Sequence, residues 1–428
     1  MIAPITWSAS SARSTPWSLI GTRSSLWSNN PHMAHDVSDS LTSVRIASRG
    51  VARLRGGLPW VWADDVQAPS PAPPPGVVGL RSTKGEWLGQ GFYNPASTIR
   101  VRFLAATTRP LDEKWLRRQL TEAAQLRDGP LGLAGASCRL VHSESDHLPG
   151  VVLDRIGDAL ILQTLCAGAD TWLERLQAAA TELFNPRLFI LKNTARSRAA
   201  EKLVQETRVL SGTPGPTLYR EGDLEFETDL LNDQKTGAFL DQRDNHLMMG
   251  KVARGAALDL FCYHGGFALA MARGGATVTA VDASQAAIDR LHGNARRNGL
   301  SATGVCADVF DYLKNDDSRW DTIVCDPPAL SPHARDKKNA LQAYRQLAAG
   351  CFSRLRAGGL LLFCSCSAHI LADDLLGALV AGARDTTGRD SAGRSFCVHR
   401  FVQAGPDHPS HPLIPESAYL KGFLVRAT

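Results

Sequence analysis

No stretch of this chain approaches the ~20 consecutive apolar residues that a membrane-spanning helix requires, so the expectation is a soluble protein. No secretory apolar region stands near the start. The nine cysteines, at 138, 166, 262, 306, 325, 351, 364, 366 and 397, form neither an even framework nor paired Cys-x-x-Cys blocks. A disulfide scaffold and a structural zinc site are therefore not expected, nor is any metal centre, and a reducing, cytoplasmic compartment follows. Acid is absent from residues 1–35, which hold Arg13, Arg23, many serines and a Trp-Ser pair at 7, 17 and 27. Without a clear amphipathic helix this leader reads as an unfolded or non-native extension rather than a transit peptide, and Met33 offers a later start.

What is present suits packed domains: 428 residues, 44% hydrophobic and 21% charged, are enough for two or three. The net charge of +5 is unevenly placed, because residues 43–110 carry nine Lys/Arg (45, 49, 53, 55, 81, 84, 100, 102, 109) against three acids (64, 65, 86). A surface for a polyanion is expected to begin there. The same segment reads as short strands and turns: Val44 to Leu54, Pro59-Trp60-Val61-Trp62, Gly85 to Pro95 and Ile99 to Phe103, with Pro69 to Pro75 as an internal loop. This predicts a small β-barrel, and the phrase Gly91-Phe92-Tyr93-Asn94-Pro95-Ala96-Ser97 resembles a PUA domain, a small RNA-binding barrel. Residues 111–212 alternate helix and strand patterns and predict a separate central α/β unit with no obvious chemistry of its own. A hairpin around Thr217–Arg220 and Leu224–Leu230 leads into the last unit, 213–428.

From Gly255 the βα rhythm is strong, with apolar runs at 257–261, 277–281, 321–325, 359–364 and 422–426. Short, doubly buried runs of this kind predict a doubly wound, largely parallel sheet, an α/β fold of Rossmann type. Ser284 is a good N-cap for a helix through Asn298, and Gly299 a good stop.

The turn Asp259-Leu260-Phe261-Cys262-Tyr263-His264-Gly265-Gly266-Phe267 follows the first run, and strand, glycine turn and helix alone would suit any nucleotide binder, a dehydrogenase included. Three carboxylates narrow the choice: Asp259 at the first strand end, Asp282 at the second and Asp308 after the third apolar run. A carboxylate after the second strand bonds a ribose diol, and one after the third can receive an adenine amine. GxGxxG is missing, which weakens the case for a pyrophosphate on the helix N-terminus. A ligand with an adenosine, no phosphate and a cationic amino-acid tail fits Asp259, Phe261 and the tight Gly265-Gly266 approach. S-adenosylmethionine is such a ligand.

Two more phrases lie at strand ends: Asp326-Pro327-Pro328 after the fourth and Cys364-Ser365-Cys366-Ser367 after the fifth. Asp/Asn-Pro-Pro-aromatic is similar to the motif of amino-group methyltransferases, but Ala329 supplies no ring to stack on a base. A thiol instead suits a pyrimidine ring carbon, because carbon 5 of cytosine becomes nucleophilic once a thiolate adds to carbon 6. Cys366 is the candidate nucleophile, Asp326 the candidate acid or hydrogen-bond partner on the N3/N4 edge, and Cys364 a buried strand residue.

Several further phrases carry a wider resemblance. They are Asp146-His147-Leu148-Pro149-Gly150, Lys235-Thr236-Gly237-Ala238-Phe239-Leu240-Asp241-Gln242-Arg243, Asp407-His408-Pro409 and Pro415-Glu416-Ser417-Ala418-Tyr419-Leu420-Lys421. With the motifs above, from about Ser43 to the C-terminus, the chain resembles the ribosomal RNA large-subunit cytosine-5 methyltransferase I family. The resemblance leaves the leader (1–42) outside and implies a PUA domain (43–110), a central α/β domain (111–212) and a hairpin plus class I methyltransferase domain (213–428). It implies that Lys235, Thr236, Phe239, Asp241, Gln242 and Arg243 line the cofactor cleft with Asp259, Asp282, Asp308 and Asp326, and that Cys366 is the nucleophile. His264 stands where the family has Thr, and His246 where it usually has Arg. The implied partner is large-subunit ribosomal RNA, no membrane is involved, and a homodimer is left open. Arg335, Lys337, Lys338 and Arg345 are expected to clamp phosphates. Two other readings stand beside this one: methylation of another RNA base with Cys366 structural, and an RNA-binding or assembly protein without turnover.

Overall fold

The computed structural model describes residues 36–233, 236–331, 334–386 and 395–428. Lys235 of the expected cofactor set lies outside these residues, as do residues 1–35 of the expected leader.

Six strands form the first sheet: β1 (Ser43–Ile46), β2 (Trp60–Trp62), β3 (Val66–Gln67), β4 (Gly76–Ser82), β5 (Trp87–Tyr93) and β6 (Ile99–Ala105), in the order β2-β6-β5-β4-β1-β3. Its interior is the alternate apolar set Val44, Ile46, Val61, Val78, Leu80 and Val101. The expectation of strand and turn over Val44 to Leu54 is corrected in part: the strand stops at Ile46 and Ser48–Arg55 is helical. The helix buries Gly50 and Val51, and a Cβ on Gly50 would lie 2.7 Å from Ile46 Cγ2, so the two elements pack in close contact. Arg49 and Arg53, one helical turn apart, then both reach the buried Asp65 at 2.8 Å.

The second sheet holds β7 (Cys138–His142), β8 (Val151–Ile156), β9 (Ala159–Thr164), β10 (Leu188–Asn193) and β11 (Glu206–Gly212), in the order β11-β10-β9-β8-β7. The helix Glu113–Asp128 begins at Asp112, whose carboxylate accepts from Trp115 N at 2.9 Å. Its apolar face joins the helix Leu173–Phe184 over the sheet. β11 was not expected: it is an exposed polar edge strand without alternation, so nothing in its pattern separates it from a loop. The phrase behind the PUA likeness docks the barrel on this unit. Asn94 Nδ2 donates to Glu201 Oε2 at 2.9 Å, and Phe92 meets Trp172 edge-on at 4.9 Å.

The hairpin β12 (Thr217–Glu221) and β13 (Leu224–Thr228) precedes the third sheet, made of β14 (Ala256–Leu260), β15 (Thr277–Asp282), β16 (Thr303–Cys306), β17 (Trp320–Cys325), β18 (Leu355–Ser365), β19 (Phe396–Gln403) and β20 (Lys421–Ala427). The order β16-β15-β14-β17-β18-β20-β19 is parallel through β18, after which β20 runs antiparallel to both neighbours. β19 is a second unexpected edge strand, mostly exposed. Ser284 caps the helix Gln285–Arg297, its Oγ accepting from Ala287 N at 3.3 Å, and Gly299 follows with φ +62°. The chain order reverses between β14 and its neighbours β15 and β17, which opens a crevice at the strands' carboxyl ends.

Candidate active site

Asp259, at the end of β14, is buried and accepts from Ala268 N at 2.9 Å through Oδ2, while its Oδ1 has no hydrogen-bond partner. Burial pushes its carboxyl up to about 8, against the pull of the His246 charge. The turn that follows is tight: Phe261 and Tyr263 have φ of +64° and +47°, and Gly265 has +90°. A Cβ on Gly265 would lie 2.3 Å from Leu291 Cδ1, and one on Gly266 would lie 2.4 Å from the His246 ring. Only glycine fits either place.

Asp282 ends β15 and takes Tyr263 N at 3.0 Å on Oδ2 and Ser284 N at 2.9 Å on Oδ1, so the second carboxylate braces the turn. Asp308 is exposed and caps the helix Val309–Asn315, its Oδ1 accepting from Phe310 N and Asp311 N at 2.9 and 3.1 Å. Phe239 lies edge-on to Tyr263 at 4.9 Å, and Tyr263 stacks on His264 at 3.6 Å. His246 sits 2.6 Å from Glu221 Oε2, and although burial disfavours its charge, Glu221 outweighs that and raises the imidazole above its ordinary value. At this position, where the resemblance implies an arginine, the histidine pairs with Glu221.

Across the crevice, Cys366 follows the last residue of β18, half-buried, with Sγ 3.9 Å from the Pro327 carbonyl oxygen. Cys364 differs sharply. It is fully buried in the core, and burial pushes its thiol well above the ordinary range. Asp326 N reaches the Leu260 carbonyl at the end of β14 at 3.5 Å, and its charge bears on Asp259, His246, Cys364 and Tyr344.

Thr236 and Asp241 open on a cavity of about 380 Å³ that the central unit closes with Arg139 and Gln163, beside His408 and Tyr419. Tyr419 O–H donates to Asp241 Oδ2 at 2.8 Å, and Gln242 accepts from Asn245 Nδ2 at 2.6 Å. Arg243 turns away from this cavity: its guanidinium meets Asp407 at 3.2 Å, Asp244 at 3.0 Å and the Ser137 carbonyl. Asp259, Phe261, Gly265, Gly266 and Asp282 thus belong to the glycine turn and its bracing carboxylates, Asp326 and Cys366 follow the last residues of β17 and β18, and Arg243 braces two units. Sequence reasoning left out Tyr344 and Tyr419 as working residues and gave no role to Lys421, although the last two stand in a phrase it had singled out.

The surface cations are more committed than composition implied. Besides Arg49 and Arg53, Arg55 pairs with Glu86, Arg102 with Glu144 and Glu201, Lys337 with Asp374 and Arg345 with Asp385. Arg45, Lys84, Arg109, Arg335 and Lys338 remain exposed. Among the described residues no cluster suits a metal ion, and no helix is long and apolar enough to cross a membrane.

An orphaned buried carboxylate oxygen, two further carboxylates at successive strand ends and a glycine turn with no room for a side chain fit a cationic adenosine ligand and not a pyrophosphate. With the strand order of the third sheet, this defines a class I S-adenosylmethionine-dependent methyltransferase carrying a barrel and a central α/β unit. Residues 44–106 match the PUA-like domain family, and residues 143–426 match the family described as S-adenosylmethionine-dependent methyltransferase. The chain is 34% identical over 383 residues to "Ribosomal RNA large subunit methyltransferase I" of Shewanella amazonensis, covering 86% of this chain and 95% of that one. It is 32% identical to "Ribosomal RNA large subunit methyltransferase" of Deinococcus radiodurans, covering 90% and 97%. The solved methyltransferase SMU.776, complexed with SAH, shares the fold with a TM-score of 0.74 at 20% identity, over 90% of this chain and 100% of that one. The chain belongs to the ribosomal RNA large-subunit methyltransferase I family of S-adenosylmethionine-dependent enzymes.

Proposed function

We propose that this enzyme forms 5-methylcytidine in large-subunit ribosomal RNA, in the cytoplasm, through a transient adduct between Cys366 and carbon 6 of cytosine. One observation carries the reading: a half-buried thiol stands at the mouth of the crevice, against the Asp326-Pro327-Pro328 turn. The names of the relatives above supply the ribosomal substrate. S-adenosylmethionine, when bound, supplies a sulfonium methyl that an electron-rich carbon can take up.

The residues of the chain divide the remaining work. Cys366 as thiolate adds to carbon 6, and the displaced electron pair makes carbon 5 enamine-like. Asp326 hydrogen-bonds the N3/N4 edge as the adduct forms, a role worth ~10²–10⁴-fold. Loss of the carbon 5 proton to a base then returns the electron pair and expels the thiolate. Asp259, Asp282 and Asp308 receive the cofactor's amino-acid tail, ribose and adenine, with Phe261, Gly265, Gly266 and Phe239 around them. Thr236, Asp241 and Gln242 form the wall towards the central unit. Lys235 belongs to the set by resemblance, and Arg243 acts by holding that wall in place.

Asp259→Asn is expected to have two opposite effects. The unfolded carboxyl titrates near 3.8 and the folded one near 8, so burial costs stability that grows as pH rises between those values. Asparagine escapes this cost, so ligand-free Asp259→Asn should melt higher than wild type at pH 7.5 and equally at pH 4. It should also lose the thermal shift that S-adenosylhomocysteine gives the wild type. A variant that melts lower at pH 7.5 overturns the burial cost, and one that keeps the full shift removes Asp259 from the cofactor site.

The reaction itself is tested by incubating the protein with methyl-labelled S-adenosylmethionine and unmodified large-subunit RNA, then digesting the RNA to nucleosides. Label in 5-methylcytidine is expected. Label in a different nucleoside would refute the ring-carbon chemistry, and RNA binding without label would favour an assembly role.

A further inference from the structure

Lys421 opens β20 directly opposite Ser365 in the antiparallel register, and its side chain is buried. Its Nζ donates to the carbonyl of Ser367 at 2.7 Å, the residue immediately after Cys366. The turn that presents the thiol is held on both sides. The Tyr344 hydroxyl lies 2.8 Å from Ser365 Oγ and 3.1 Å from Ser367 Oγ, and Ser331 N donates to Ser367 Oγ at 3.2 Å. Ser365 and Ser367 are buried, so the half-buried Cys366 is the member of the turn that faces the crevice.

A buried ammonium needs a compensating anion. Among the described residues Lys421 makes no ion pair with a carboxylate: Asp374, which favours its charge, is paired with Lys337 at 2.6 Å, while the Lys421 Nζ is held on the Ser367 carbonyl, one residue from Cys366. Burial still pulls the Lys421 ammonium down to about 8, which shows how incompletely it is compensated. From the facing elements, Asp326 and Tyr344 also bear on this place, with Cys364 on the same strand.

We infer that Lys421 is a positioning residue for the Cys366 thiolate, its fixed ammonium holding the anionic sulfur ready at the crevice while it anchors the Ser367 carbonyl. The inference rests on the assignment of Cys366 under the proposed function. The thiol proton leaves to water, Lys421 keeps its own, and the ion pair replaces a neutral thiol beside an uncompensated ammonium.

The test is the pH dependence of iodoacetamide alkylation at Cys366 in the full chain, with the modified cysteine located by peptide mass spectrometry. Wild type is expected to alkylate with a midpoint below the ~8.5 of a free thiol. Lys421→Met should raise that midpoint by about one unit or more, a roughly tenfold slower reaction at pH 7. Lys421→Arg should restore it, and Tyr344→Phe, which loosens the turn without changing charge, should leave it in place. A wild-type midpoint at or above ~8.5 overturns the inference without recourse to any variant. So does an unmoved midpoint in Lys421→Met, or an equal shift in Tyr344→Phe. Alkylation reads the thiol and not the product, so a Lys421-dependent thiol with no 5-methylcytidine formed would sink the proposed reaction and leave this pairing standing.

Discussion

Cys366→Ala is expected to lower methyl transfer to RNA by roughly 10⁴-fold or more, the scale on which enzymes lose turnover with a covalent nucleophile, while S-adenosylhomocysteine still raises the melting temperature. Without the thiolate, carbon 5 of cytosine stays too poor a nucleophile to take the methyl. Cys364 cannot stand in, because it is fully exposed to core and not to crevice: Leu362, Val402 and Leu424 share its cluster, and burial holds its thiol protonated. Cys364→Ala should therefore keep its turnover. Comparing the two variants with initial rates of label transfer separates thiol chemistry from general damage to β18. Retained activity in Cys366→Ala, or loss in both, would remove the thiol from the mechanism.

Asp407→Ala is expected to destabilise the protein by about 3 kcal/mol, because it leaves the buried Arg243 guanidinium with only the exposed Asp244 carboxylate as its partner. Asp407 is fully buried where the catalytic and central units meet. Its carboxylate takes Arg139 N at 2.9 Å and the Arg243 guanidinium at 3.2 Å, while its carbonyl takes Arg127 Nη2 at 3.0 Å. Arg127 is in turn held by both oxygens of Asp146 at 2.7 Å. Burial alone would raise the Asp407 carboxyl, but His408 and Arg243 outweigh it and hold it down near 2. The unfolded value is 3.8, so its contribution is complete above about pH 4 and is lost as pH falls towards 2. The midpoint of urea unfolding, followed by tryptophan fluorescence, should fall in the variant at pH 7 and converge with wild type near pH 2. An unchanged midpoint at pH 7 would mean that the junction does not depend on this carboxylate.

The doubly wound sheet could be read from the chain because each of its inner strands is a short apolar run with its own turn signal. Asp259, Asp282, Asp308, Asp326 and Cys366 could be placed for the same reason, since each sits one or two residues from the end of such a run. The cap at Ser284 and the stop at Gly299 are equally local. The misses share the opposite property. β11 and β19 are exposed edge strands, where pairing with one neighbour imposes no alternation. The helix Ser48–Arg55 hid among arginines because only Gly50 and Val51 are buried.

What the sequence by itself determined is the order of the units, the chemical class of the cofactor and the candidate nucleophile, since all three rest on patterns that repeat every two to four residues along the backbone. The tertiary structure decided which charges are used up and which stay exposed. Arg49 and Arg53 meet Asp65, Arg243 is spent on Asp407, and Lys421 comes to rest across from Ser365 because β20 returns antiparallel beside β18. A charged side chain carries no record of its partner in its local pattern. Its pairing is settled only when burial removes water and the fold brings an opposite charge within reach, 12 and 16 residues away for Arg53 and Arg49 and 164 for Arg243.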